Sequence, residues 1–258
     1  MFPIISFFGL FQIPTYFLVI SVGCSISLWL FYRSLVTRGD FEKQIPAVLD
    51  SAMASLVIGF VGARLLHVVY EDPAPYIHDV RRVLYFWNGG FVYYGGFLTG
   101  AVGAYVFFLW RTKNLISGRA QQNLVFLKAL DSAALALAVG YAIGRFACFL
   151  NGCCYGSHCV FPWAIDFKHP TQLYAIFCES LTIFLILRIQ KSIHTLPGDI
   201  FWSWLFLHGC GRLIMERFRD DPRGPSWLSL SLGTWLSLLV CAIAGFWISK
   251  HYRKWQRR

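Results

Sequence analysis

Charged residues are scarce in this chain. Asp, Glu, Lys and Arg make up 14% of its 258 residues, where a soluble domain of this length carries about a quarter. That deficit excludes an ordinary water-facing surface and moves the reading from globular to membrane protein. No internal repeat, low-complexity segment or polar linker divides the sequence, so one membrane domain over 1–258 is expected. Residues 1–12 lack a charged n-region and no small-residue cleavage site follows, so no cleavable signal peptide is expected. Acidic residues are fewest, 13 against 23 Lys and Arg, for a net charge of +10. The basic residues sit in short loops between apolar runs rather than on one soluble face. That arrangement argues against a nucleic-acid partner and for membrane lipids, the anionic headgroups of the cytoplasmic leaflet. A disulfide scaffold is missing too. Several of the eight cysteines lie inside apolar runs, where free cysteine acts as a small hydrophobe.

What is present is hydrocarbon-length sequence. Crossing a bilayer core takes roughly 20 mostly apolar residues, and seven runs qualify: 13–32, 46–70, 86–110, 122–150, 171–190, 199–218 and 227–249. The expected fold is all-α, a polytopic integral membrane bundle of about seven helices. Aromatics, at 18%, suit membrane interfaces. The apolar stretch Phe2 to Phe11 fits an interfacial segment before the first span. Arg33, Arg38 and Lys43 follow span one, Arg111, Lys113 and Arg119 follow span three, and Arg188 and Lys191 follow span five. Lys250, Arg253, Lys254, Arg257 and Arg258 form the tail. In the opposite loops, Arg81, Arg82, Lys168, Arg219 and Arg223 are offset by nearby acids. The positive-inside rule then puts the C-terminus in the cytoplasm and the N-terminus outside.

Arginine inside a bilayer costs about 2.5–3.5 kcal/mol on insertion scales, so each one raises a functional hypothesis. Arg64, Arg145 and Arg212 fall in the outer thirds of spans two, four and six. Tyr16, Tyr93, Tyr94, Gly95, Gly96, Asn151, Gly156, His169, Gln172 and Tyr174 share that depth. Glu216 follows Arg212 by one helical turn. A cationic, glycine-lined pocket at headgroup depth suits a phospholipid phosphate, whose geometry the guanidinium fork matches. The plainer readings are snorkelling arginines, interfacial belt tyrosines at Tyr16 and Tyr174, and Glu216 as a structural partner of Arg212. Asp50, Lys128, Asp131 and Glu179 read as structural pairs. Cys148, Cys153, Cys154 and Cys159, with His158 and His169 nearby, do not match the paired spacing of zinc sites, and adjacent cysteines rarely ligate one ion. No metal is therefore expected. An outward-facing disulfide through Cys159 is an alternative in an oxidising compartment.

The segment Gly144-Arg145-Phe146-Ala147-Cys148-Phe149-Leu150-Asn151-Gly152-Cys153-Cys154-Tyr155-Gly156 resembles the signature of the bacterial prolipoprotein diacylglyceryl transferases. His169-Pro170-Thr171-Gln172-Leu173-Tyr174 is similar to a second motif of that family. Gly211-Arg212 through Glu216 and Arg219 resembles a third. Gly89-Gly90 followed by Tyr93-Tyr94-Gly95-Gly96 is similar to a stretch where many members carry histidine before Gly-Gly. Gly62-Ala63-Arg64 and Ser231-Leu232-Gly233 through Ser237 match weaker elements. The resemblance covers nearly all the spans.

The resemblance implies a multi-pass enzyme of the bacterial inner (cytoplasmic) membrane. It would move the diacylglyceryl group of phosphatidylglycerol to the lipobox cysteine of a prolipoprotein, forming a thioether and releasing glycerol 1-phosphate. No metal or organic cofactor is implied. Arg145 carries over as the phosphatidylglycerol-binding residue and Arg212 as an essential partner. The pocket suits that chemistry, because arginines stabilise charge on a phosphate leaving group and the acceptor must become a thiolate. Tyr94 stands where many members have histidine, Cys148 and Cys153 where some have asparagine and glutamate, Ala175 for a glutamate and Thr234 for a glutamine. These departures leave open the proton acceptor, with Tyr94 the candidate. They also admit a paralogue serving another acceptor, and a lipid- or anion-binding or transport protein is the non-enzymatic alternative.

Overall fold

A computed structural model describes residues 4–7, 11–39, 42–71, 73–86, 90–192, 195–219 and 230–255. A short antiparallel hairpin comes first, strands β1 (Ile4–Phe7) and β2 (Phe11–Pro14), with Ile4 opposite Pro14. The hairpin is a departure from the all-α expectation; everything larger is helical. The helices are α1 (Thr15–Arg38), α2 (Ile45–Leu66), α3 (Ala74–His78), α4 (Tyr93–Thr112), α5 (Arg119–Asn151), α6 (Thr171–Ser192), α7 (Asp199–Glu216) and α8 (Leu232–Trp255). Five stretches, Thr15–Arg38, Glu42–Tyr70, Arg119–Asn151, Thr171–Lys191 and Gly233–His251, are long and apolar enough to cross a membrane. α4 and α7, of 20 and 18 residues, are not among them; α7 carries Asp199, Arg212 and Glu216.

Backbone chemistry sets the helix ends. Pro46 stands in the first turn of α2, where its missing N–H costs nothing. Gly118, with φ 90°, precedes α5, and Gly152, with φ 76°, follows it. At that C-terminus the Gly152 N–H donates to the Phe149 carbonyl (3.2 Å) and the Cys153 N–H to the Cys148 carbonyl (3.1 Å). This is the paired Schellman closure, which folds the residue after the glycine back over the helix.

The chain divides into two compact units, Met1–Ser34 with Leu130–Arg258, and Leu35–Ala129. In the second unit α2 and α4 pack through glycine. A Cβ on Gly95 would lie 2.5 Å from the Gly62 carbonyl oxygen, and one on Gly96 would lie 3.0 Å from that of Gly59. Ser55 Oγ donates across the contact to the Gly100 carbonyl at 3.0 Å. Helices within lipid associate by such close backbone approach, since apolar burial gives no advantage there. Asp50, expected in a structural pair, accepts from Arg111 Nε at 3.0 Å.

In the first unit α7 packs on α6 and α8. Asp131, buried on α5, accepts from the Gly198 N–H (2.8 Å) and the Phe201 N–H (3.0 Å). It thereby caps the N-terminus of α7, satisfying donors that have no partner within the helix. The exterior is apolar: Phe17, Trp29, Phe177, Phe184 and Phe246 all point outward.

Candidate functional site

Arg145 lies near the C-terminal end of α5, and the residue one turn earlier positions it. Its Nε donates to Tyr141 Oη at 3.0 Å, and its guanidinium carbon sits 5.2 Å from the Tyr141 ring centre. Neither terminal nitrogen has a hydrogen-bond partner among the described residues. The half of the fork that matches a phosphate is therefore free, while the other half is anchored. Tyr141 is held in turn. Its ring meets the His208 ring edge-on at 4.6 Å, and His208 Nδ1 lies 2.8 Å from Glu179 Oε2. The other carboxylate oxygen, Oε1, accepts from Trp204 Nε1 at 2.8 Å. Glu179, expected in a structural pair, thus supports Arg145 through two aromatic rings. Neither Tyr141 nor His208 stood out in the sequence. The available signal was their spacing, four residues before Arg145 and Arg212, which places each on the same helix face as an arginine.

Arg212 and Glu216 sit one turn apart on α7, with Nη2 to Oε2 at 3.5 Å. Glu216 Oε1 accepts from Ser231 Oγ (2.5 Å), and Ser231 Oγ also accepts from the Thr234 N–H (3.1 Å), capping α8. Arg212 Nη1 is buried and has no hydrogen-bond partner among the described residues. A buried guanidinium nitrogen in that condition is a donor in need of an acceptor.

Between α5 and α6 the chain folds back on itself. The Gly156 N–H donates to the His169 carbonyl (2.8 Å), and the Ser157 N–H to the Phe218 carbonyl (2.8 Å). A Cβ on Gly156 would collide with the Phe218 carbonyl oxygen, so only glycine fits. Gln172 Nε2 donates to the Cys153 carbonyl at 2.5 Å and Thr171 Oγ1 to the Cys154 carbonyl at 2.6 Å. Tyr174 Oη accepts from Trp163 Nε1 (2.7 Å) and lies 3.2 Å from His169 Nδ1. Gly156, His169, Gln172 and Tyr174 are therefore tied into the scaffold of this loop. Gln172 is fully buried, yet its Oε1 has no partner among the described residues.

The loop also gathers sulfur. The Sγ atoms of Cys148, Cys153 and Cys154 all lie within 4.8 Å of one another. The Schellman closure puts Cys153 over Cys148. Adjacent side chains of an extended strand point to opposite faces, but Cys154 has φ 65° and turns its thiol back to within 3.7 Å of that of Cys153. Cys159 is buried apart from them, and all eight cysteines are free thiols. Tyr16 interacts electrostatically with all three of these sulfurs, and Arg145 with those of Cys148 and Cys154. A hydrogen bond from Cys148 draws the Cys154 thiol down to about 5 against the opposing effect of burial, with help from Cys153 and the charges of Arg219 and Arg145. Burial pushes the Cys153 thiol up, and the neighbouring Cys154 adds to that, while a hydrogen bond with Asn151 opposes it.

Arg64 belongs to the other unit and is 6% exposed. Its Nε donates to the Val83 carbonyl (3.1 Å), Nη1 to that of Gly90 (3.0 Å), and Nη2 to those of Arg82 (2.8 Å) and Tyr85 (3.2 Å). Tyr76 and Phe91 face the guanidinium at 5.4 and 5.8 Å. These contacts hold the segment between α3 and α4 in shape. Tyr94 is the second residue of α4, but its side chain lies outside the described residues, as do Gly89 and residues 220–229.

Spanning-length apolar helices with guanidinium groups held among them define a multi-pass membrane protein. Comparison with known proteins supplies the finer assignment. The chain belongs to the prolipoprotein diacylglyceryl transferase family, whose model matches residues 3–249. It is 30% identical to the phosphatidylglycerol–prolipoprotein diacylglyceryl transferase of Methylobacillus flagellatus, over 95% of this chain and 94% of that protein. The enzyme of the same name from Clostridium tetani is 29% identical, over 93% of both chains. That from Bordetella bronchiseptica is 28% identical, over 95% of this chain and 90% of its own.

Proposed function

We propose that this chain transfers the diacylglyceryl group of phosphatidylglycerol to the lipobox cysteine of a prolipoprotein. The acceptor sulfur forms a bond to the glycerol carbon, the bond from that carbon to the phosphate oxygen breaks, and glycerol 1-phosphate leaves with the electron pair. The observation that carries the reading is Arg145, anchored through Nε on Tyr141, with neither terminal nitrogen partnered among the described residues. The likeness to relatives named for this activity supports it. In this scheme Arg145 grips the phosphate, and the unpartnered Arg212 Nη1 meets the charge that grows on the leaving oxygen. Preorganised donors of this kind are worth about 100- to 1,000-fold in rate. Tyr16 and Asn151 border the lipid headgroup. Gly156, His169, Gln172, Tyr174 and Glu216 shape the walls. Arg64 contributes by holding the segment before α4, and Tyr94 takes part in deprotonating the acceptor.

The reading includes seven spans forming one catalytic domain, with the N-terminus outside and the tail in the cytoplasm of a bacterial inner membrane. The loop charges and the five apolar stretches support it. Purified protein, phosphatidylglycerol and a lipobox peptide test the activity. A diacylglyceryl mass gain on the peptide cysteine, matched by released glycerol phosphate, is expected, and Arg145→Ala should lower the rate by about 100-fold or more. A folded protein that binds phosphatidylglycerol without modifying the peptide would sink the reading. It would favour the paralogue with another acceptor, which the departures at Cys148 and Cys153 admit.

A further inference from the structure

We propose that Cys148, Cys153 and Cys154 form a trithiolate site for one thiophilic metal cation of the zinc or cadmium class. The geometry is that of a built site. The three Sγ atoms lie within 4.8 Å of one another, with Cys153 and Cys154 at 3.7 Å. Metal–sulfur bonds of about 2.3 Å put the sulfurs of a three-coordinate ion about 4 Å apart. Two independent backbone devices create the convergence. The α5 closure stacks Cys153 on Cys148, and the left-handed φ of 65° at Cys154 brings in the third sulfur. Gln172 and Thr171 then hold the carbonyls of Cys153 and Cys154, so the ligand backbone is fixed from α6. All three cysteines are partly exposed, which leaves a route for a cation.

A disulfide explains the arrangement less well. The Cα atoms of neighbours such as Cys153 and Cys154 stand about 3.8 Å apart, below the range of about 4.4–6.8 Å that disulfides favour. Pairing either of them with Cys148 strands the third thiol. Charge also fits. Three thiolates around a divalent cation carry one net negative charge, and the guanidinium groups of Arg145 and Arg219 act on this cluster. The positive charges of the arginines complement that of the loaded site. The proposal does not depend on the transferase reading, because it rests on the sulfurs alone.

Cadmium is the probe, added to the reduced, purified full-length chain in detergent. The expected result is a near-ultraviolet thiolate-to-cadmium charge-transfer band that saturates at one equivalent. Ligand deprotonation should release protons as the ion binds. Cys148→Ser, Cys153→Ser and Cys154→Ser should each weaken binding by at least about tenfold, the smaller cost reported even for outer-shell partners. The Cys210→Ser, Cys241→Ser double variant should leave binding unchanged. Absence of the band in the unsubstituted chain would overturn the proposal, and so would its persistence when all three cysteines are serine. Should a serine variant fail to fold, proton release and stoichiometry in the unsubstituted chain still decide.

Discussion

Arg145 depends on a hydroxyl one turn away. Tyr141→Phe deletes the only acceptor for Nε among the described residues and keeps the ring under the guanidinium. Transfer is expected to fall by about tenfold, through the positioning of the fork rather than its charge, with thermal stability nearly unchanged. A steady-state assay beside a melting curve separates the two effects. Cys154 carries its own signature. With its thiol held to about 5 by Cys148, Cys153 and the arginines, it stays a thiolate above that pH. Its alkylation rate, followed by peptide mapping in metal-free protein, should stay level from about pH 8 to pH 6 and fall only near pH 5. An ordinary thiol near 8.5 loses about tenfold for each unit below its value. Arg145 and Arg212 were legible in the sequence as candidates, because a charged group in an apolar run is conspicuous. The sulfur cluster was not, since spacing alone hides a backbone that doubles back at Gly152 and again at Cys154.

At the level of elements, the helix contacts rest on what the residues lack. α2 and α4 meet with glycine on both sides, so Gly95→Leu drives a side chain into the Gly62 carbonyl and Leu66. A cost of about 1–3 kcal/mol or more is expected from such overpacking. Gly118→Ala is the contrast: space is open around that residue, and only its φ of 90° resists. Melting curves of the two variants in one detergent compare steric and conformational cost. The seven expected stretches overlap α1, α2, α4, α5, α6, α7 and α8, with some ends off by five to seven residues, and five of them fall on stretches long and apolar enough to cross a membrane, because apolar length is the strongest signal in such a chain. The hairpin at 4–14 and the short helix α3 went unread. Neither is long enough to impose a period on the sequence.

Among the described residues, many large apolar side chains face out, while Arg64, Asp131, Gln172 and Glu179 are buried. The loop between α5 and α6 continues that pattern, showing Val160 at 79% and Phe167 at 73% exposure, with Phe161 and Trp163 beside them. No periodicity announced this, since exposed apolar residues in a loop look like noise until folded. The consequence is mechanical. In the proposed topology a loop with such a tip is expected at the level of the lipid headgroups, and Gln172 and Thr171 couple it to α6. Thinning or thickening the bilayer must then strain either the loop or the lipid, at fractions of a kcal/mol per Å. Transfer in vesicles of graded acyl-chain length is expected to pass through a maximum, and replacing Val160 and Phe167 by serine should flatten it. The bilayer would then set the elastic load under which the enzyme works, as well as supplying its substrate.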